Sequence, residues 1–454
     1  MTEHFQEEDT IVALATPSGI GAISIIRLSG PSSIAAVDSV FNGKEKIINA
    51  KTHTIHYGHI YENQDLIDDV LVSVFKGPNS YTGEDSIEIS SHGSPIIVQK
   101  IISLLLKNED VRVAEPGEFT KRAFLNNKID LAQAEAVADL INSRTVISFR
   151  GARNQLNGLL SSKVDEIRQK LVNISSFLEL GLDFAEENIE FIKENELISK
   201  IGDISLEVEN LINTFTFGKL IKEGVNVVII GEPNVGKSSI LNYLVKESRS
   251  IVSNIPGTTR DTIQEEISLD GILVKIYDTA GLRISDEEIE KEGVQRSRIA
   301  IKNADLILFI GDVDLGFSTQ IERDILDLNP SVKVIKVLNK IDLKSLNGIL
   351  EDFKISAKTG EGMVHLIRGL KEKIIGESVY TEKDAIISNT RHYNCLLKSK
   401  QNLNKALETL ERNLSGEFIA SDIRAAELAL AEIIGVVTPE DVLNNIFSKF
   451  CIGK

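Results

Sequence analysis

The chain of 454 residues has no tryptophan, two methionines and two cysteines. Two cysteines, Cys395 and Cys451, are too few for a disulfide framework and cannot complete a zinc site alone. No window approaches the roughly eighteen consecutive apolar residues of a membrane-spanning helix. The start of the chain is acidic, with Glu3, Glu7 and Glu8, and lacks the pattern of a signal peptide. We therefore expect a cytoplasmic protein without a membrane contact.

Basic residues are scarce relative to acidic ones. There are 50 Lys and Arg against 67 Asp and Glu, which gives a formal net charge of −17. This balance excludes non-specific coating of nucleic acid, because binding to phosphates needs a basic surface. Residues 383–454 hold nine Lys or Arg against nine Asp or Glu, so a nucleic-acid contact should be local and selective. The length predicts about three domains.

The most informative segment that is present is GEPNVGKS at residues 231–238. It fits the phosphate-binding pattern G-x-x-x-x-G-K-[ST] and follows an apolar run at 225–230 that predicts a buried strand. The glycines let backbone amides turn toward phosphates, Lys237 reaches the β and γ oxygens, and the Ser238 hydroxyl can ligate Mg²⁺. Alone, the motif predicts only a nucleoside triphosphate site.

Three further segments follow in the order of a guanine-nucleotide site. The first, DTAG at 278–281, ends an apolar run, and an aspartate at a strand end suits a contact to Mg²⁺. The second, NKID at 339–342, includes Asp342, whose carboxylate can accept the N1 and N2 protons that guanine offers and adenine lacks. The third, SAK at 356–358, lies where backbone amides commonly meet guanine O6. Together they predict a GTPase domain.

The expected route of hydrolysis differs from that of Ras-like enzymes, in which a glutamine after the D-x-x-G glycine orients the attacking water. Leu282 occupies that position here, and most of the acidic residues at 286–290 should form a solvated face. Asn234 adds an oxygen near the phosphates that could hold a monovalent cation in place of an arginine finger. The segment GTTRD at 257–261 supplies threonines for a switch loop that can close over Mg²⁺.

Residue patterning predicts four segments and a multidomain fold of α+β and α/β parts. Residues 1–122 predict short strands broken by turns, with a helix near 95–107. Residues 123–217 and 384–454 show helical spacing, and we expect these two parts to pack into one discontinuous bundle. Residues 218–383 would be a P-loop GTPase domain inserted between them, because the ends of such a domain can lie close together.

Five segments, correctly ordered along the whole chain, resemble the MnmE (TrmE) family of tRNA-modification GTPases. They are GTTRD at 257–261, DTAGLR at 278–283, RAFLN at 122–126, DLAQAE at 130–135 and CIGK at 451–454. The resemblance implies a first domain similar to tetrahydrofolate-binding aminomethyltransferases, through which the chain forms a homodimer. It also implies a flavoprotein partner, MnmG, in a hetero-oligomer with two copies of each. Together they would add a carboxymethylaminomethyl group to C5 of the wobble uridine, U34, in the anticodon of certain tRNAs.

The resemblance also implies residue roles. The one-carbon donor, a 5-formyl or 5,10-methylene tetrahydrofolate, would be contacted by Arg27, Glu88, Arg122 and Lys454. Mg²⁺ would lie on Ser238 and Thr259, and K⁺ on Asn234, Ser253, Ile255 and Thr258, with Ser253 where the family often has threonine. Catalytic roles fall to Lys237, to Glu290, which would place the water indirectly, and to Cys451. The implied GTP contacts are Asn234, Val235, Gly236, Lys237, Ser238, Ser239, Ser253, Asn254, Ile255, Pro256, Gly257, Thr258, Thr259, Asp278, Thr279, Ala280, Gly281, Asn339, Lys340, Asp342, Ser356, Ala357 and Lys358.

Alternatives remain at several of these positions. Arg27 or Arg122 could pair with the glutamate carboxylate of a folate and Glu88 could accept from a pterin, or each could form an ordinary strand-end ion pair. Cys451 could be a nucleophile or could have a structural role. At the level of function, the alternative is a switch GTPase of ribosome assembly without transfer chemistry. The folate-like first domain and the CIGK tail favour an enzyme whose GTP hydrolysis opens and closes a dimer.

Overall fold

A computed structural model describes residues 9–183, 193–247, 264–278, 295, 297–343, 351–375, 385–412 and 415–454. The chain divides into two compact units. The first contains residues 1–138, 155–180 and 420–454, and the second contains residues 139–154 and 181–419. This division by contact differs from the four predicted segments, which stay a prediction. No helix in the described part of the chain is long and apolar enough to cross a membrane.

The first unit contains a seven-stranded sheet. Its strands are β1 (Thr10–Leu14), β2 (Ile23–Ser29), β3 (Phe41–Gly43), β4 (Thr54–Glu62), β5 (Asp65–Phe75), β6 (Ser86–His92) and β7 (Val111–Val113). The spatial order is β3-β4-β5-β6-β2-β1-β7, and every pair is antiparallel except β1 with β7. The strands expected from the sequence near residues 10, 23, 52, 70 and 86 are all present.

Helices and a short 3₁₀ turn at Ile47–Asn49 accompany this sheet. They are α1 (Ser33–Val40), α2 (Pro95–Leu105) and α3 (Glu118–Leu125). Alternate residues of the central strands, such as Ile26, Leu28, Ile87 and Ile89, are fully buried in one apolar cluster with residues of α1 and α2. Because side chains alternate along a strand, the intervening residues Arg27 and Glu88 project to the opposite face.

Helices that lie wholly or mainly in the first unit complete it. They include α4 (Leu131–Asn142), α6 (Leu159–Asp183), α13 (Gly416–Ile434) and α14 (Glu440–Phe447). The predicted apolar stripe of α6 runs from Leu160 to Leu178; it is buried as far as Ile174, and Leu178 is half-buried. Arg168 on α6 pairs with Glu427 on α13 at 2.5 Å. Residues before and after the GTPase segment therefore contact each other here, and the single discontinuous bundle stays a prediction.

The second unit contains a six-stranded sheet. Its strands are β8 (Val225–Gly231), β9 (Gln264–Leu269), β10 (Ile272–Asp278), β11 (Leu306–Asp312), β12 (Lys333–Asn339) and β13 (Phe353–Lys354). The order is β13-β12-β11-β8-β10-β9, and all pairs are parallel except β9 with β10. Alternate residues of β8 belong to two different apolar clusters, so both faces of the sheet are covered, as is typical of parallel sheets.

The helices of the second unit fall into two sets. Among the described residues, those that accompany the sheet include α9 (Lys237–Glu247), α10 (Thr319–Leu328) and α11 (Met363–Ile375), and residues 297–302 are also helical. Those from the helical segments are α5 (Val146–Leu156), α7 (Glu194–Asn213), α8 (Phe215–Glu223) and α12 (Thr390–Glu411). Lys400 on α12 pairs with Glu209 on α7 at 2.6 Å. The rings of Phe215 and Tyr393 stack with centroids 4.1 Å apart. These contacts again join residues on both sides of the GTPase segment.

Candidate functional site

The predicted nucleotide motifs lie at the carboxyl ends of neighbouring parallel strands. Strand β8 lies between β10 and β11. The chain runs from β8 to β9 and β10 on one side of it and then crosses to β11 on the other side. Such a switch point leaves a crevice where ligands of open α/β sheets bind. The loop after β8 leads directly into α9, whose first residue is Lys237. Backbone amides at this helix start are therefore directed toward the crevice.

The phosphate-binding loop has the backbone that its sequence predicts. Asn234 and Gly236 have φ values of 62° and 100°. A Cβ at Gly236 would lie 2.3 Å from Asn339 Nδ2, so only glycine fits. The ammonium of Lys237 donates to the carbonyl oxygens of Gly231 and Glu232, each at 2.8 Å. In this loop conformation the Lys237 side chain and the backbone amides of the loop lie close together.

The serine and aspartate predicted for Mg²⁺ lie together. Ser238 Oγ donates to Asp278 Oδ2 at 2.9 Å, across the ends of α9 and β10. Asp278 is 5% exposed, whereas Ser238 and the next residue, Ser239, are exposed. A hydroxyl and a carboxylate are oxygen ligands of the kind that Mg²⁺ takes directly or through water.

The residues predicted for guanine recognition are linked to the phosphate loop. Asn339 is 2% exposed, and its Nδ2 donates to the carbonyl oxygen of Val235 at 2.8 Å. The Ala357 amide donates to Asn339 Oδ1 at 3.0 Å. Ser356 Oγ donates to Asp342 Oδ1 at 2.7 Å, and Lys358 is exposed. Asn339 thus connects the first and last motifs.

One residue of this region, Asp312, belongs to no predicted motif, and it pairs with Lys340 of the NKID segment. Lys340, in the left-handed conformation with φ 67°, donates from Nζ to Asp312 Oδ2 at 2.8 Å. The other oxygen of Asp312 accepts from the amides of Asp314 and Leu315 at 3.0 and 2.7 Å. Burial opposes the charged carboxylate, but these donors outweigh it and lower the pKa of Asp312. The only sequence signal was an aspartate at the end of an apolar strand.

Part of the predicted site lies outside the described residues. This applies to the switch segment, to three residues of the D-x-x-G motif and to the proposed water-placing glutamate. The residues are Ser253, Asn254, Ile255, Pro256, Gly257, Thr258, Thr259, Thr279, Ala280, Gly281 and Glu290.

A second polar site lies on the sheet of the first unit. Arg27 on β2 and Glu88 on β6 are register partners, and the Arg27 Nε and Nη2 atoms donate to Glu88 Oε1 at 2.9 and 2.7 Å. The guanidinium carbon of Arg27 lies 5.7 Å from the ring centroids of Tyr81 and Phe119. Arg27 Nη1 also donates to the carbonyl oxygen of Gly453 at 3.4 Å. The predicted folate residues and the end of the chain therefore meet.

The CIGK tail is held closely against β1. Gly453 has a φ of 94°, and a Cβ there would lie 2.3 Å from the carbonyl oxygen of Leu14. Lys454 is partly buried, and its pKa is lowered by that burial and by the charge of Arg27, which outweigh the opposing effect of Glu88. Cys451 is exposed. The tail thus places the Lys454 ammonium close enough to Arg27 for their charges to interact.

Arg122, a predicted folate contact, lies among carboxylates of its own chain, and its folate role stays a prediction. Arg122 is 2% exposed. It donates to the carbonyl oxygen and the carboxylate of Asp9 at 2.9 and 2.8 Å, to Glu118 at 3.0 Å and to Glu84 at 3.3 Å. These carboxylates already surround its charge, because Arg122 lies on the buried side of α3. Its geometry supports a role in holding α3 and the start of β1 in place.

Two family models match the chain. The model described as the GTP-binding protein TrmE N-terminus matches residues 10–128, and the MnmE helical domain matches residues 131–451. The chain belongs to the MnmE (TrmE) family. The second match spans the range that includes the GTPase segment.

Curated members of the MnmE family are similar over nearly the full length. The chain is 44% identical to the tRNA modification GTPase MnmE of Cytophaga hutchinsonii, with 98% of both chains covered. It is 42% identical to the protein of the same name from Christiangramia forsetii, with 98% and 99% covered. A crystal structure of Aquifex aeolicus Era bound to GDP.AlF4⁻ is 24% identical and covers 39% of this chain and 65% of that chain, at a TM-score of only 0.26. Family membership makes this chain a GTP hydrolase.

Proposed function

We propose that this MnmE-family GTPase acts in tRNA modification by binding GTP and Mg²⁺ in the crevice of the second unit. The observation that carries the proposal is the linkage of the motifs through Asn339, Val235 and Ala357. This linkage couples the loop that would hold phosphates to the loops that would hold the base. Asp342 would accept the N1 and N2 protons of guanine, and Lys237 would transfer its donors from backbone carbonyls to phosphate oxygens.

Magnesium would be held by Ser238, with Asp278 as its neighbour and Thr259 closing over it from the switch segment. The pair of oxygen ligands at 2.9 Å fits this hard cation. When bound, the ion supplies charge neutralisation between the phosphate groups. The residues of this chain hold Ser238 in place through the start of α9 and aim Asp278 from the end of β10.

Potassium would be the second cation, with Asn234, Ser253, Ile255 and Thr258 as its ligands. Support comes from Leu282, which cannot orient water as a glutamine does, and from the exposed Asn234 in the phosphate loop. A cation there would supply the positive charge that an arginine finger supplies elsewhere. Glu290 would place the attacking water indirectly.

A reduced folate, as a 5-formyl or 5,10-methylene derivative, would bind at the second polar site. The guanidinium of Arg27 suits the glutamate tail of a folate, and the carboxylate of Glu88 suits the N–H donors of a pterin. The exposed ring of Tyr81 adds apolar surface beside Arg27, while the fully buried ring of Phe119 supports Arg27 from the core. Lys454 would contribute from the tail, with Cys451 as a candidate nucleophile and Arg122 as a supporting residue.

The reaction we propose is the addition of a carboxymethylaminomethyl group to C5 of wobble uridine U34 in certain tRNAs. The chain would act as a homodimer joined through its first domain and would work with the flavoprotein MnmG in the cytoplasm. GTP hydrolysis would drive the GTPase domains of the dimer together and apart. The names of the curated relatives support the tRNA substrate.

The test of this function is nucleoside analysis of tRNA from cells that lack the chain. We expect the modified wobble uridine to disappear and to return when the wild-type chain is supplied. An unchanged nucleoside profile would contradict the tRNA-modifying role. It would leave GTP hydrolysis itself untouched, because that activity is measured on the purified protein.

A further inference from the structure

We propose that Asp312 is a positioning residue of the guanine site, which it serves by holding Lys340. The inference deepens the proposed GTP site and rests on it. Asp312 ends β11 and is the register partner of Asn339, which ends β12. It is 3% exposed, so its carboxylate is a buried charge that needs partners.

Both oxygens of Asp312 are used, and for different purposes. Oδ1 accepts from the amides of Asp314 and Leu315, which shapes the turn after β11. Oδ2 accepts from Lys340 Nζ at 2.8 Å. The turn is closed further by the Gly316 amide, which donates to the carbonyl oxygen of Asp312 at 2.8 Å. The carboxylate thus presents one oxygen to Lys340 from a rigid turn.

Lys340 lies between two residues whose side chains already have hydrogen-bond partners, and Asp312 gives Lys340 a partner as well. Asn339 is held by Val235 and Ala357, and Asp342 is held by Ser356. Lys340 lies between them in the left-handed region, a conformation that costs a non-glycine residue free energy. The hydrogen bond to Asp312 stabilises this conformation. Asp312 therefore orders the loop that carries the base-specific Asp342.

We expect Asp312 to affect nucleotide affinity and to have little effect on the rate of the chemical step. Its carboxylate acts at the base side of the site, through Lys340, whereas Lys237 and Ser238 act at the phosphates. Loss of the Asp312 charge should therefore weaken GTP and GDP alike. The turnover rate at saturating GTP should stay near the wild-type value, because the groups at the reacting phosphate keep their contacts.

The test uses Asp312→Asn in the full chain, since asparagine keeps an oxygen for the two backbone amides and removes the charge opposite Lys340. We expect KM for GTP and Kd for GDP to rise about tenfold, with kcat within about twofold of wild type. Glu322→Gln is the matched control. Glu322 on α10 pairs with Lys336 on β12 at 2.6 Å, so this substitution removes an ion pair that does not involve Asp312 or Lys340 and should change neither constant.

A second variant separates positioning from general stability. Lys340→Met removes the group through which Asp312 acts, so adding Asp312→Asn to Lys340→Met should have little further effect on nucleotide affinity. The inference would be overturned if Asp312→Asn weakened nucleotide binding equally in the wild-type chain and in Lys340→Met. An unchanged KM for GTP in Asp312→Asn would also overturn it. If the wild-type chain bound no guanine nucleotide, the proposed site itself would fail. If the wild-type chain bound guanine nucleotide and Asp312→Asn left KM and Kd unchanged, only the positioning role would be contradicted.

Discussion

Asn234 shows how one side chain can matter in two ways. Its φ of 62° is a conformation that asparagine tolerates better than most residues, so it suits the turn of the phosphate loop. Its amide oxygen is also exposed beside the place where phosphates would bind. The backbone role requires only a residue that accepts positive φ, whereas the proposed cation role requires the oxygen.

The potassium prediction follows from that difference. Hydrolysis of GTP by the wild-type chain should rise sharply when KCl replaces NaCl at equal ionic strength. Asn234→Gly accepts the same φ but lacks the oxygen, so it should fold normally and lose most of this stimulation. Phosphate release from GTP, measured in KCl and in NaCl, gives the potassium stimulation of the wild-type chain and of Asn234→Gly. Equal wild-type rates in KCl and NaCl would rule out the potassium role.

The cluster around Arg122 predicts a dependence of stability on pH. Burial alone would raise the pKa of Glu118, but hydrogen bonds from Arg112, the Glu115 amide and Arg122 lower it below its usual value of 4.5. The pKa of Asp9 is likewise lowered below 3.8, as Arg112 and Arg122 outweigh the opposing effect of burial. A carboxylate with a depressed pKa in the folded state stabilises it at higher pH.

The stabilisation should therefore be complete above about pH 5 and should disappear as the pH falls through the depressed values. Glu118→Gln should destabilise the first unit at pH 7 by about 3 kcal/mol, since it leaves Arg112 and Arg122 with weaker partners. The variant should also lose stability less steeply on acidification. Urea unfolding at pH 7 and pH 4 measures both effects. Parallel losses of wild type and variant between these values would contradict the linkage.

At the scale of elements, sequence patterns predicted the long or regular segments and missed several short ones. The alternating strands of the first unit and the apolar stripe of α6 were predicted, because each presents a repeated apolar face. Helix α3 was missed, since its buried side includes the charged residues Glu118 and Arg122, which no apolar pattern signals. The edge strand β7 has three residues and is too short to show a period.

The fit of the tail to β1 gives a prediction at this scale. Gly453→Ala would place a Cβ 2.3 Å from the Leu14 carbonyl oxygen at a φ of 94°, so the tail must shift away from Arg27. Binding of 5-formyl tetrahydrofolate should weaken by at least about tenfold. GTP turnover should be unchanged. Calorimetry and a phosphate-release assay on one preparation measure the two properties.

The control for this substitution is Gly202→Ala on α7, where an added Cβ meets nothing within 4 Å. Alanine there should leave both ligands unaffected and should favour the helix slightly. If Gly453→Ala bound folate as tightly as the wild-type chain does, the position of the tail would be irrelevant to the second polar site.

On the scale of the whole molecule, the two proposed sites belong to different compact units. The folate residues Arg27 and Glu88 lie in the first unit, and the guanine residues lie in the second. Each unit contains its own sheet and its own apolar core. Binding at one site therefore does not require the side chains of the other.

This separation predicts opposite losses in two variants. Arg27→Gln should bind tetrahydrofolate at least about tenfold more weakly and hydrolyse GTP normally, whereas Asp342→Asn should lose affinity for GTP and keep that for folate. Arg168→Gln removes a distant ion pair of the first unit and serves as the control. Titrations with both ligands measure the three variants. Joint loss of both affinities in either site variant would contradict independent sites.

The sequence by itself determined the chemistry of the nucleotide site, because a phosphate loop and guanine recognition depend on fixed residue types at short, local spacings. Tertiary structure decided how distant positions combine. It enclosed Arg122 among carboxylates, brought the tail to Arg27 and placed Asp312 beside Lys340. No local pattern encodes these outcomes, because each depends on strand register and helix orientation. Those are set by the burial of apolar faces contributed by the whole chain.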